Sequence, residues 1–444
     1  MDDKQIRTPE SIDQYIQNGI QKGKRYKRIQ RRSIVSLATS MALILLFITS
    51  VRISPAFADT IKTLPGMQVI VKMIQGDKGL EDAVSNDFIH EVNKKDTHEG
   101  VTLSVDRIIV DQARMIIFYS AETAGDHEYL RLHRIKLLDG NGEEIQAGFA
   151  YGDPLESENL QENKKMNGKI VATFAEDVQV PEVVQLKVIL QDADSPSAIH
   201  TEARTLDSEW NIEIPIKEEW YADTRETIEI METVEMEKQK IHFEKAVIDP
   251  TLIALHIKYD ETNEMQLFRF DDLKLMDDTG QVWEPIQNGI ISSGEDDDFT
   301  LYFQSNYFRK PEELYLSGSS IRAIDKDEQE VVVDLQDEKL TKTPSDRRIQ
   351  LDQINREGVD VQFDFAIRMG KQDKDHHYEI FDSLPVNLDQ NGERAQNGYS
   401  RSDENPLIMQ NYYTVYNPEN TKEIVLKIID YPNRIQDRFK IKIK

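Results

Sequence analysis

Val101 to Tyr119 reads VTLSVDRIIVDQARMIIFY, an alternation of apolar and polar residues with the period-two spacing of β-strands. It leads to Ile135–Gly142, IKLLDGNG, where two turn signals follow an apolar run, and then to FAEDVQVPEVVQLKVI at 174–189. The same order returns farther on. KIHFEKAVIDPTLIALHIKY, 240–259, leads to LKLMDDTG at 273–280 and then to FQSNYFRKPEELYLSGSSI at 303–321. A third passage has VDVQFDFAI at 359–367, NLDQNG at 387–392 and YNPENTKEIVLKII at 416–429.

The aligned glycines Gly142, Gly280 and Gly392 are 138 and 112 residues apart. Glycine there suits a turn that needs positive φ, with Asp or Asn supplying local hydrogen bonds. Ala147-Gly148, Asn288-Gly289 and Asn397-Gly398 follow each in turn. Four features in a kept order predict a mainly β chain of tandem β-sandwich modules of immunoglobulin-like kind. Boundaries are expected near Trp210 and at Lys342 to Ser345, giving domains 52–210, 211–342 and 345–444. Before the first sandwich, Leu80, Ala83, Val84 and Phe88 are spaced as one face of a short helix expected to pack on that sandwich.

Ser33 to Val51, SIVSLATSMALILLFITSV, is uncharged. At ~1.5 Å per residue it is roughly 28 Å long, close to the ~30 Å of a bilayer's hydrocarbon core. Lys22, Lys24, Arg25, Lys27, Arg28, Arg31 and Arg32 precede it and mark the cytoplasmic side. The expectation is a cytoplasmic tail with a short helix, 1–32, one transmembrane helix, 33–51, and an exterior body, at a bacterial cell membrane. A competing reading is a signal peptide cleaved after Ala58 at Ala56-Phe57-Ala58; the long leader and long apolar run favour the anchor.

Composition bounds the function. Residues 1–32 hold nine Lys/Arg against four Asp/Glu, so of the chain's net −27 the remainder carries −32. So acidic a body repels nucleic acid, and no direct nucleic-acid partner is expected. Absence of cysteine removes disulfides, thiolate metal sites and cysteine nucleophiles. No phosphate loop, G-x-S-x-G elbow or H-E-x-x-H is present, so no enzyme, catalytic residue, metal or cofactor is expected. His376-His377 with Asp373, Asp375 and Glu379 offers metal-ligand types, but reads as a solvated loop. Glu295 to Asp298 lacks the spacing of a calcium loop and reads as an exposed turn. Tyr412, Tyr413, Tyr416 and Trp283 are ligand-platform types that at strand positions are usually core.

SPAFADTIKTLPGMQVIVKMI from Ser54, DKGLEDAVSNDFIHEVNKK and HEGVTLSVDRIIVDQARMIIFY together resemble the membrane-anchored family called domain of unknown function 4179. NIEIPIKEEW and HFEKAVIDPTLIALHIKY resemble the immunoglobulin-like domain often found after it. The resemblance covers roughly 8–340. It implies an anti-sigma factor of the extracytoplasmic-function type, commonly encoded beside its sigma factor. The departure is that only 32 residues precede the membrane, where a conventional anti-sigma domain is a multi-helix unit.

Within those residues, Thr8-Pro9-Glu10 is a helix start, and Ile12, Tyr15, Ile16 and Ile20 form a narrow apolar stripe. Gly19 and Gly23 make isolated helicity marginal. The stripe is the expected partner-binding site, ordering when it docks in a groove of the sigma factor. Two blander roles compete: setting topology, and lying on the membrane surface. The exterior would then sense an envelope condition or ligand. The alternative is an anchored or secreted surface-binding protein with no transcriptional role.

Overall fold

The alternation at 101–119 becomes two antiparallel strands, β2 (Val101–Val110) and β3 (Arg114–Thr123), reversed at Asp111. The structure, a computed structural model, describes residues 67–124, 127, 129–152, 165–176, 178–193, 203–286, 292–374, 376–387, 395–401, 407–418 and 421–444. Residues 70–444 form one compact unit; of 1–69, only the start of helix α1 (Met67–Ile74) is described. The expected tail, its stripe Ile12, Tyr15, Ile16 and Ile20, the membrane segment 33–51 and Ala58 all lie outside the described residues. Among those described, no helix is long and apolar enough to cross a membrane.

The first module joins β1 (His90–His98), β2, β3, β5 (Ala147–Tyr151) and β6 (Lys165–Phe174) in one sheet ordered β1-β2-β3-β6-β5. A second sheet is ordered β4-β7-β8, from β4 (Tyr129–Leu138), β7 (Val183–Ala193) and β8 (Arg204–Pro215). Their inward faces share one apolar core, as alternation requires. Trp210 is part of that core, and its indole donates to Val101 O at 3.1 Å. The expected break near Trp210 is therefore inside β8; the sandwich runs on through the buried Ile216.

The second module repeats this plan. β9 (Glu226–Met236), β10 (Gln239–Ile248), β11 (Leu252–Tyr259), β15 (Ser292–Gly294) and β16 (Asp298–Gln304) are ordered β9-β10-β11-β16-β15. Opposite them, β12 (Met265–Phe270) and β13 (Lys274–Asp277) take one side of β17 (Leu314–Asp325), and β14 (Val282–Trp283) extends β13. The aligned turns are alike in detail. Asp139 Oδ1 accepts from the amides of Asn141 and Glu143, and Asp277 Oδ1 from those of Thr279 and Gln281. Gly142 and Gly280 have φ of 86° and 85°, the left-handed region that glycine enters without strain. Gly392 lies outside the described residues.

The third module has β18 (Glu330–Asp334), β19 (Lys339–Lys342), β20 (Ile349–Glu357), β21 (Asp360–Arg368), β22 (Gln396–Arg401), β23 (Ile408–Val415) and β24 (Glu423–Lys427). Its sheets are β20-β21-β23-β22 and β19-β18-β24. The chain then supplies β25 (Arg434–Lys442), which pairs with β17 of the second module.

Strand pairing here crosses the expected boundary at 342–345. In the first module β8 follows β7 and pairs with it. In the second, β18 follows β17, yet β18 pairs with β24 and β17 with β25. The cores follow the pairing: Val331 and Val333 are buried in the third, Ile435 and Ile443 in the second. The second module is thus closed by β25, which lies beyond the third in the chain, while β18, next after β17, joins the third.

Helix α2 (Lys78–Ser85) fulfils the apolar face with buried Leu80, Ala83 and Val84, and Asp77 caps it by accepting from Leu80 N. Its packing meets the expectation in part: Arg114 of the first module reaches Asp77 at 3.4 Å and Lys169 donates to Met73 O at 2.6 Å, but the second module holds the helix too. Arg309 grips Asp82 at 2.5 and 2.6 Å, and a Cβ on Gly79 would meet Ser305 N at 2.6 Å, so it sits on the second module. Phe88 falls beyond the helix end and meets Phe308.

Candidate functional site

Two junctions between modules bury charge, which is costly unless the charges are paired and hydrogen-bonded. The first is built from repeated turns. Asp111 and Asp249 are 138 residues apart, the same spacing as Gly142 and Gly280, and each reverses an equivalent strand pair. Both are buried. Asp111 accepts from Ala113, Arg114 and Thr251 amides, the last at 2.7 Å and from the other module. The buried Arg114 guanidinium donates to Thr251 O. Arg225 holds Asp249 through three bonds, at 3.0, 3.2 and 2.8 Å. Burial, then the Asp111 charge, push the Asp249 carboxyl well up against the pull of Arg225. Lys245 reaches Glu176 of the first module at 2.6 Å. A cavity of about 350 Å³ lies beside these groups.

The second junction sits where β17 and β25 meet. Arg322 reaches Asp271 at 2.8 Å, Asp430 at 2.5 Å and His377 O at 3.1 Å, and lies over the Tyr378 ring. Arg434 binds Asp271, Asp373 at 2.5 Å and Tyr378 Oη at 2.6 Å. Tyr378 donates to Asp373 at 2.6 Å. Burial pushes the Asp430 carboxyl up to about 6, although Arg322 and Arg269 oppose it. Burial also works upward on Asp271, but Arg434 and Arg322 prevail and hold it below its ordinary value. Burial, together with the bond to Asp373, raises the Tyr378 hydroxyl.

Sequence-derived candidates scatter differently. His376 does not stand in a solvated loop: its Nδ1 is 3.3 Å from Asp271 Oδ1, so the His-His segment folds onto this junction. Asp373 is fully buried and serves Arg434 rather than a metal. No group of three metal-ligating side chains stands together among the described residues. Glu295 to Asp298 is an exposed turn closed by Glu295 N to Asp298 O. Tyr413 and Trp283 are core, Tyr412 is exposed, and the four aromatics form no common platform. Arg322, Arg434, Asp271 and Asp430 were missed; Arg322 within the otherwise small and apolar SSIRAI was the available signal.

Residues 28–123 match the family described as "Domain of unknown function (DUF4179)", and residues 225–341 match "Family of unknown function (DUF5643)". A solved chain titled "The crystal structure of the conserved domain protein from Bacillus anthracis" is similar at 16% identity and a TM-score of 0.40. That similarity covers 60% of this chain and 87% of the other. No curated protein matches.

Proposed function

We propose that the chain is a single-pass membrane signal transducer of the anti-sigma type. Its acidic, immunoglobulin-like exterior modules sense an envelope condition or ligand, and residues 1–32 hold an extracytoplasmic-function sigma factor through Ile12, Tyr15, Ile16 and Ile20. The observation that carries this reading is the order of charges: a basic cluster, nineteen uncharged residues, then a body of net −32. The match of residues 28–123 to the 4179 family supports the resemblance on which this reading draws. The bonded junctions between modules suit a body that passes a change at one module to the next.

Topology is directly testable because the chain has no cysteine of its own. Single cysteines at Lys4 and at Ser319 should differ: only S319C should react with a membrane-impermeant maleimide in intact cells. Labelling at both positions, or a soluble mature chain starting at Asp59, would favour the surface-binding reading. In a promoter reporter, replacing the four stripe residues with Asp should raise sigma-dependent output several-fold.

A further inference from the structure

Beside the Arg322–Arg434 network the second and third modules enclose a cleft of about 550 Å³. That is within the ~300–1,000 Å³ of small-ligand sites, which favour interfaces between domains. Phe268, Phe270 and Phe299 line it, each packed on a core but partly open to solvent. The open part of an aromatic ring in a concave wall loses water favourably when covered.

The mouth of the cleft is acidic. Glu295 and Asp296 stand on its wall and belong equally to an adjoining open hollow with Glu261, Asp297 and Asp298. Lys427 pairs with Asp296 at 2.9 Å, and Lys258 lies 3.7 Å from Asp298. Glu261, Glu295 and Asp297 make no ion pair among the described residues. The basic group inside the cleft, Arg269, is turned to Asp430 at 3.7 Å. An apolar wall ending at a rim where, among the described residues, Glu261 and Glu295 have no cationic partner matches a ligand with an apolar body and basic ends.

We propose that this cleft binds a short cationic amphipathic peptide. Its apolar side chains would lie against Phe268, Phe270 and Phe299, and its basic groups toward Glu261 and Glu295. The chain's net −27 draws such a ligand in at low salt. The binding requires nothing of the cytoplasmic tail, so this inference and the proposed function succeed or fail separately.

The test uses the full chain in nanodiscs of zwitterionic lipid, titrated by calorimetry with the tetrapeptide amide KFFK and with EFFE and KSSK. KFFK should bind, weakening as salt rises, and the other two should bind at least tenfold more weakly. E261Q/E295Q, on exposed turns, should weaken KFFK at least fivefold, and S292W, which fills the cleft, should abolish binding. If S292W fails to fold, the double variant and the peptide series still decide. No binding of KFFK, equal binding of EFFE, or unchanged binding to the variants would overturn the proposal.

Discussion

Arg322 on β17 and Arg434 on β25 are direct register partners, and their side chains are only 5% and 6% exposed. Like charges directly opposite each other on neighbouring strands repel, and burial strengthens the repulsion. Asp271 lies between them and accepts from both, while Asp430 and Asp373 each take one. Asp271 comes from the second module, Asp373 and Asp430 from the third. The pair is thus held only when both modules are folded and β25 is paired with β17.

Removing residues 434–444 should therefore damage the second module, although 91 residues separate Lys342 from Arg434. Amide exchange along β17 should rise by orders of magnitude, because one side of that strand loses its partner and Ile435 and Ile443 leave the core. A second module complete by residue 342 would instead leave β17 protected.

Asp430 sets a pH dependence of known sign. Its folded value of about 6 is above the ordinary 3.8, so the folded state holds the proton more tightly. Its contribution is fully favourable below about pH 4 and is lost as pH rises through 6, a swing of about 3 kcal/mol. Asp271 acts oppositely, losing its contribution as pH falls below its ordinary value. Urea titrations of D430N should show a flatter stability profile between pH 4 and 7 than the parent.

Breaking the network from the cationic side should cost more. Arg322→Ala leaves Asp430 and Asp271 buried without this partner, a loss on the order of 3–5 kcal/mol. Denaturant midpoints compare it with D430N, which removes the charge that burial already disfavours and should cost less.

The repeated Asp turns should be unequal. Asp277 accepts from Thr279, Gln281 and the buried Trp283 indole at 3.3 Å, whereas Asp139 caps an exposed turn. Asp277→Ala should cost roughly 2–3 kcal/mol in thermal unfolding, and Asp139→Ala should cost distinctly less.

What the sequence made legible was local. Alternation from Val101 and from Lys240 marked real strands, and the Asp-x-x-Gly spacing marked two turns with the same backbone bonds, because both are fixed by near neighbours. The pairing of β25 with β17 was not legible, since β18, a short valine run, and β25, a loose alternation, could each close β17 by pattern alone. Which one does depends on burying Arg434 against Asp271, a contact 163 residues apart. Asp111 and Asp249 were likewise hidden: an Asp at a strand end reads as a turn, and only the packing of modules reveals that the two turns meet.

The most direct test of the proposed function is affinity purification of the full chain and of a chain lacking residues 1–32 from detergent-solubilised membranes of the native host. A sigma factor recovered with the full chain and absent from the shortened one is the predicted result. Equal recovery with both chains, or none with a full chain intact in the membrane, would contradict it.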